Sequence, residues 1–252
     1  ALQARIDTVS VTAPWVAAWE GDIPVDSVVN DALVAAGLAP YTWEASDPIH
    51  LSETSAALAA NTRRLCRDRW CGVDIDDESE LSPQIVYFIS FTNYSLYTSF
   101  QAARCFYIHS SESYLGSINP EFGLDRLDEA ISPEEFWNAL RDQLLASVVE
   151  FTKRPPGFFS YSDFIVLTAG EAAHRPEFLD SLRSVAKSIP QLRVDHGVAR
   201  PPEVELVISD DPTFAAAHGA AFWFRMMTDR SYCDVLDIIS QYDMIRDGHS
   251  EL

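Results

Sequence analysis

The chain has 252 residues, of which 47% are hydrophobic, 12% aromatic and 22% charged, a composition that fits a globular protein and excludes disorder as its ground state. Acidic residues outnumber basic ones by 38 to 18, for a net charge of −20, which excludes a role built on neutralising phosphates; nucleic acid and anionic membrane are poor partners. No apolar run approaches the roughly 20 residues needed to cross a bilayer, and the opening segment lacks the basic-then-apolar layout of a secretory signal, so the expected compartment is the cytoplasm.

Taken in chain order, the β-branched stretch "IDTVSVTAPWV" predicts a strand near Thr8–Thr12. In "PVDSVVNDALVAAGL" the apolar positions Val25, Val28, Val29, Leu33 and Ala36 recur at helical spacing and close on Gly37. "YTWEAS" reads as a short strand, and "SETSAALAANTRRLCRDR" as a helix of small residues with Ser52 as its N-cap. The acidic stretch Asp74 to Pro83 reads as a solvated loop; the glycine that an EF-hand needs at its sixth position is missing. "QIVYFISFTNYSLYTSFQAARCFYIHSS" predicts two strands about a short turn near Thr92–Ser95. Ser132 to Arg154 is the clearest helix, with a Ser cap, Pro133 at its first position and Glu135 completing a capping box. "SDFIVLTAGEA" is a strand running into a turn, "HRPEFLDSLRSVAKSI" a helix, "VELVISDDP" a strand, and "FAAAHGAAFWFR" begins the last helix. Strands that are apolar on both faces and alternate with helices define an α/β class.

Four cysteines at 66, 71, 105 and 233 lack a zinc spacing and read as thiols ahead of a disulfide or metal site. Serine-hydrolase, P-loop and zincin motifs are all missing, and the six histidines are scattered, with no two at helical ligand spacing. His218 reads as a packed or solvent-turned helix residue and Asp125 as a cap or loop residue.

The order of these pieces resembles the ATPase domain of the seventy-kilodalton heat-shock (DnaK-like) chaperones, in the actin/hexokinase superfamily. "VSVTAPWV", a helix ending "AAGL" and then "SETSAALAA" stand where that family has a strand ending in Pro, a helix ending Ala-Gly-Leu and a Glu-Pro-Thr-Ala-Ala-Ala helix; Glu53, Ala56 and Ala57 match and Thr54 replaces the Pro. "IVYFISFTNYSLYTSF" stands where the second phosphate hairpin would be, and "FIVLTAGEAAHRPEFLDSL" where the adenosine loop and its helix would be. In "ISDDPTFAAAHGAAFW", Pro212, Ala215, Ala217, Gly219, Ala220 and Ala221 are similar to the family's small-residue final helix, and "FGLDRLD" echoes a Gly-Gly-x-Asp-Phe-Asp turn at Gly123 to Asp125. The resemblance implies an actin-like ATPase (ribonuclease-H-like) fold, partial, with mixed sheets flanked by helices. It also implies a division into 1–82, the remnant of a first lobe, and 83–252, a second ribonuclease-H-like lobe with a returning C-terminal helix.

Where the family's second hairpin reads Asp-Leu-Gly-Gly-Gly-Thr, this chain has Ser90, Phe91, Thr92, Asn93, Tyr94 and Ser95. The carboxylate that helps to hold magnesium is gone, and so are the glycines that bring backbone N–H groups onto phosphate. The positions carried over as remnants of a nucleotide site are Ser90, Asn93 and Ser95 in the hairpin and Gly170, Glu171 and Ala172 in the adenosine loop, with Glu171 placed to reach a ribose hydroxyl. In the family's order the first phosphate hairpin would precede residue 1, and the stretch from Ser90 to Gly170 is too short for the chaperones' adenine-clamping insertion. The expectation is therefore a pseudo-ATPase with no cofactor, working through a protein partner or self-association, with aromatic stretches such as "YTWE", "RPPGFFSY" and "FWFRMM" as contact surface. ATP with magnesium is the cofactor of the alternative, a nucleotide-binding fragment; an unrelated α/β binding protein or enzyme is the other.

Overall fold

The structure, a computed structural model, describes residues 10–16, 28–40, 51–63, 83–103, 105, 114–153, 163–198 and 200–228. The readings at "YTWEAS", the acidic loop after Asp74 and "RPPGFFSY" lie outside them.

Two short strands, β1 (Thr12–Ala13) and β2 (Leu51–Ser52), pair in parallel; β1 meets the expected first strand at Thr12, and residues 8 and 9 lie outside the described residues. The helix α1 (Val28–Ala35) lies between them in sequence, and α2 (Glu53–Ala60) follows β2 directly. Then come β3 (Gln84–Phe91), β4 (Leu96–Ala103), β5 (Tyr114–Asn119), α3 (Pro133–Thr152), β6 (Phe164–Ala169), α4 (Pro176–Asp195), β7 (Val204–Ile208) and α5 (Ala215–Thr228). The five strands and three helices that follow α2 build one sheet of order β5-β4-β3-β6-β7 with its flanking layers. β3, β4 and β5 run antiparallel to one another, while β6 and β7 join β3 in parallel. The expected mixed sheet flanked by helices is present.

Alternation along the strands sorts the core into two layers. Ile85, Tyr87, Ile89 and Phe91 of β3 face α3 and α4 with Phe164 and Val166 of β6. There Phe100 stacks between Tyr87 and Phe151, with ring centroids 4.3 Å apart on both sides, and the buried Tyr87 hydroxyl donates to Leu144 O at 3.1 Å. The opposite face carries Val86, Phe88, Ile165 and Leu167 against Ala56 to Ala59 of α2 and Ala215 and Trp223 of α5.

Local signals place several ends. Ser132 Oγ accepts the Glu135 N–H at 3.2 Å at the start of α3, as its sequence predicts. α4 runs six residues past the expected end and through Pro190. α2 stops at Ala60, well short of the expected helix, because Asn61 turns its side-chain amide back onto Ala57 O at 2.8 Å and Thr62 enters the left-handed region at φ 54°. The bonds Thr62 N to Ala59 O and Arg63 N to Leu58 O complete a Schellman end. α1 and α4 end in the same bond pattern, but with Gly37 and Gly197 at the left-handed position. A β-branched residue there costs about 1–2 kcal/mol, so Thr62→Gly is expected to stabilise the protein by up to about 1 kcal/mol, after the extra chain entropy of glycine. Urea unfolding reads that gain as a higher midpoint at unchanged slope.

Two expectations change. β5 completes the antiparallel half of the sheet as a strand the sequence reading did not anticipate. Cys105, buried at the end of β4, is disulfide-bonded rather than a thiol; its partner lies outside the described residues. Among the described residues, no helix is long and apolar enough to cross a membrane.

Candidate functional site

In an open α/β sheet the ligand crevice lies at the carboxyl ends of the parallel strands. Here those ends belong to β3, β6 and β7, and the structure gathers most of the expected positions around the first two. Gly170 follows β6 with φ +101°, and its N–H donates to Pro212 O at 2.8 Å. A Cβ on Gly170 would overlap the Phe91 carbonyl and come within 2.8 Å of Phe91 N, so this glycine serves a left-handed turn and a close approach at once. Ala172 N donates to Phe91 O at 3.1 Å, which ties the loop after β6 to the end of β3. The turn at Gly123 to Asp125 docks on the hairpin as well, with Leu124 N on Thr92 O at 3.0 Å and Asp125 N on Asn93 O at 2.9 Å.

The hairpin tip is closed by its own chain. Thr92 N donates to Ser95 O at 3.0 Å. Thr92 Oγ1 accepts Tyr94 N at 3.2 Å and Ser95 N at 3.0 Å. Asn93 N donates to the Glu171 carboxylate at 2.9 Å. All four tip amides thus have acceptors, and one of those acceptors is an anion. An anion-binding nest needs several N–H groups turned outward together; this tip offers none of its four. Glu171, read as a partner for a ribose hydroxyl, binds the hairpin through Asn93 N.

Ser90 points the other way. It is buried beside Tyr97 and Ala169 in the sheet register, and its hydroxyl bonds the carboxyl of Glu53 in the first turn of α2. Burial raises Glu53 to about 7, with the Ser90 hydrogen bond opposing the shift. Around this pair runs a polar seam joining α2 to β4: Thr54 Oγ1 lies 2.9 Å from Ser99 Oγ, Gln101 Nε2 donates to Ser55 Oγ at 3.1 Å, and Ser55 N donates to Ser52 Oγ at 3.1 Å. Tyr97 extends it by accepting Trp15 N at 2.9 Å. Glu53 is the residue that the site reading left out, although it belongs to the matched helix motif. Its signal is a single carboxylate inside an otherwise small and apolar segment.

The second feature is the crossing of α2 and α5. Gly219 of α5 lies on the backbone of Ala56, where an added Cβ would overlap the Ala56 carbonyl and sit 2.9 Å from its Cα. The two small-residue motifs that carry the resemblance therefore meet each other. Among the described residues, no three His, Cys, Asp or Glu side chains converge as metal ligands.

The strand order, three antiparallel strands continued by two parallel ones, with helices on both faces, is that of a ribonuclease-H-like α/β fold. No family model matches the chain, and neither does any curated protein. Among solved structures it is similar to the ethanolamine utilization protein EutJ from Carboxydothermus hydrogenoformans, at 12% identity and a TM-score of 0.37, over 86% of this chain and 66% of that one. It is similar also to the actin-like protein Alp7A, at 14% identity and a TM-score of 0.37 over 75% and 56% of the two chains. A third is the PilM-PilN type IV pilus biogenesis complex, at 13% identity and a TM-score of 0.34 over 77% and 56%. The chain spans between 56% and 66% of those structures' lengths, and likenesses of this size say nothing of its activity.

Proposed function

We propose that this chain is a degenerate, chaperone-type ATPase domain that does not hydrolyse nucleotide and works as a protein-interaction or scaffolding module. The observation that carries the reading is the hairpin tip, whose amides are occupied internally by Ser95 O, Thr92 Oγ1 and the Glu171 carboxylate. A phosphate arriving there would have to displace a carboxylate of like charge and break a Thr-capped turn. Ser90, standing at the position of the family's magnesium-holding carboxylate, is committed to Glu53. Residues 1–82 are in this reading the remnant of a first lobe and 83–252 the second lobe. The chaperone-like part of the proposal rests on the paired motifs at Ala56 and Gly219.

Calorimetric titration of ATP with magnesium, with thermal melting alongside, tests it. The expected result is no heat and no shift. A ligand at a hundredfold excess over its Kd would stabilise the native state by about 2.7 kcal/mol; a shift of that size would overturn the reading and favour the nucleotide-binding alternative, in which Gly170 still serves an adenosine loop.

A further inference from the structure

β7 pairs with β6 along one side, and among the described residues no strand lies beyond it. Phe164 N donates to Glu203 O at 2.8 Å, which sets the phase of the parallel ladder. Backbone groups alternate sides along a strand, so those of Glu205 and Val207 face β6, and those of Val204, Leu206 and Ile208 face the outer edge. An edge of this kind is a template for another strand. Leu206 and Ile208 also line a cavity of about 620 Å³ that is bounded by the end of α2 and the start of α5. The cavity therefore opens along the side of β7 that has strand-pairing groups to offer.

Charge says what fits. Arg63, on the cavity wall, is held by Glu205 at 2.6 Å, and Arg200 lies 3.6 Å from Glu203. Asp210 and Asp211, also on the wall, are exposed and make no ion pair among the described residues. The wall thus ends, just past the C-terminus of β7, in two unneutralised carboxylates. The net charge of −20 adds a long-range field that draws cations towards them.

We propose that the outer edge of β7 binds an extended peptide segment of a partner protein as a sixth strand. The segment carries Lys or Arg at the end that lies over Asp210 and Asp211, with apolar side chains on alternate positions entering the cavity beside Val207, whose side chain is on the α2 and α5 face of the sheet. Main-chain hydrogen bonds supply affinity in this mode, and the pockets and charges beside them supply specificity. The site lies apart from the hairpin, so it stands whether or not nucleotide binds there.

The test uses a labelled peptide of alternating valine and threonine that ends in two lysines, six residues long and blocked at both ends, with hydrogen exchange of the protein as readout. Expected are at least tenfold slower exchange at Leu206 and Ile208 with peptide bound, and at least fivefold weaker binding to Asp210→Asn/Asp211→Asn. Glu134→Gln/Glu150→Gln on α3, which removes equal charge elsewhere, should bind as the parent does, and melting curves check that both variants fold. Because the carboxylate variant could be unstable, a second probe is used on the unaltered protein: the same peptide N-methylated on alternate residues, which cannot pair as a strand and should not bind. The proposal is overturned if nothing binds, or if the N-methylated probe binds equally well. Binding without protection at β7, or equal binding by a glutamate-for-lysine peptide, would reduce the effect to general adhesion and overturn it too. Protection of β7 that grows with protein concentration alone would assign the edge to a second copy of this chain instead.

Discussion

Gly219→Ala is expected to destabilise the protein by about 3 kcal/mol, although the same change in an open helix gains up to about 1 kcal/mol. The sign is set by what the new methyl meets. It would overlap the Ala56 carbonyl oxygen and approach the Ala56 Cα to 2.9 Å, and a backbone atom in mid-helix cannot swing aside as a side chain can. α2 is fixed at both ends: Ser52 caps it, Thr54 and Ser55 are bonded to Ser99 and Gln101, and Asn61 Nδ2 reaches Ser209 Oγ at 2.8 Å. The displacement must fall on α5, and it would draw Trp223 and Ala215, both buried, away from the sheet. For a chain of this size a loss of about 3 kcal/mol lowers Tm by about 6–12 °C. Chemical denaturation should give a lower midpoint at the same slope, and His218→Ala, one residue earlier but exposed, should stay within about 0.5 kcal/mol of the parent. A Gly219→Ala variant as stable as the parent would mean that α5 does not seat on α2 at this distance.

The same crossing shows what could be read from the chain in advance. β3 and β6 were legible because each is apolar on both faces and bounded by turn residues, and the start of α3 because its cap lies three residues from its partner amide. α2 and α5 were recognisable as small-residue helices, but only the packing shows that each is small because of the other. β5 was missed for a related reason. "YLGSIN" has a glycine and a serine in mid-strand, and its pairing comes from β4, with a register shift between Thr98 and Phe100. α4 passes Pro190 because Ile189 and Arg193, on either side of it, are buried; Arg193 lies over the Phe151 and Phe164 rings at 5.9 and 5.6 Å. That burial outweighs the hydrogen bond lost to the proline. The hairpin's lost glycines were visible as residue types. The Glu171 carboxylate that fills their place was not, since it arrives from 78 residues further along.

Glu53 is where the site's electrostatics should appear in bulk stability. Its carboxyl is raised from 4.5 to about 7 by burial against β3, so the folded protein holds this proton more tightly than the unfolded chain does. Below pH 4.5 both states are protonated and the contribution is fully present. Between 4.5 and about 7 the unfolded chain releases the proton and the native state keeps it, so stability falls as pH rises, by up to about 1.4 kcal/mol per pH unit. Above about 7 both states are ionised and the contribution is gone. Allowing for the water that reaches a half-buried carboxyl, the difference between pH 4.5 and pH 8 is expected to be about 2 kcal/mol. The chain's other carboxylates superimpose their own pH dependence, and Glu53→Gln separates the two. Glutamine keeps an oxygen for the Ser90 hydroxyl but carries no proton to lose, so the variant should lose the decline that is particular to this window and exceed the parent's stability by about 2 kcal/mol at pH 8. Parallel curves for the two proteins, measured by urea unfolding from pH 4.5 to 8, would mean that Glu53 is better solvated than its place under α2 implies. A difference that grows between pH 4.5 and about 7 and then stays constant would make the seam between α2 and the hairpin strands sensitive to protons near neutrality. A partner binding across that seam would then take up or release the same proton.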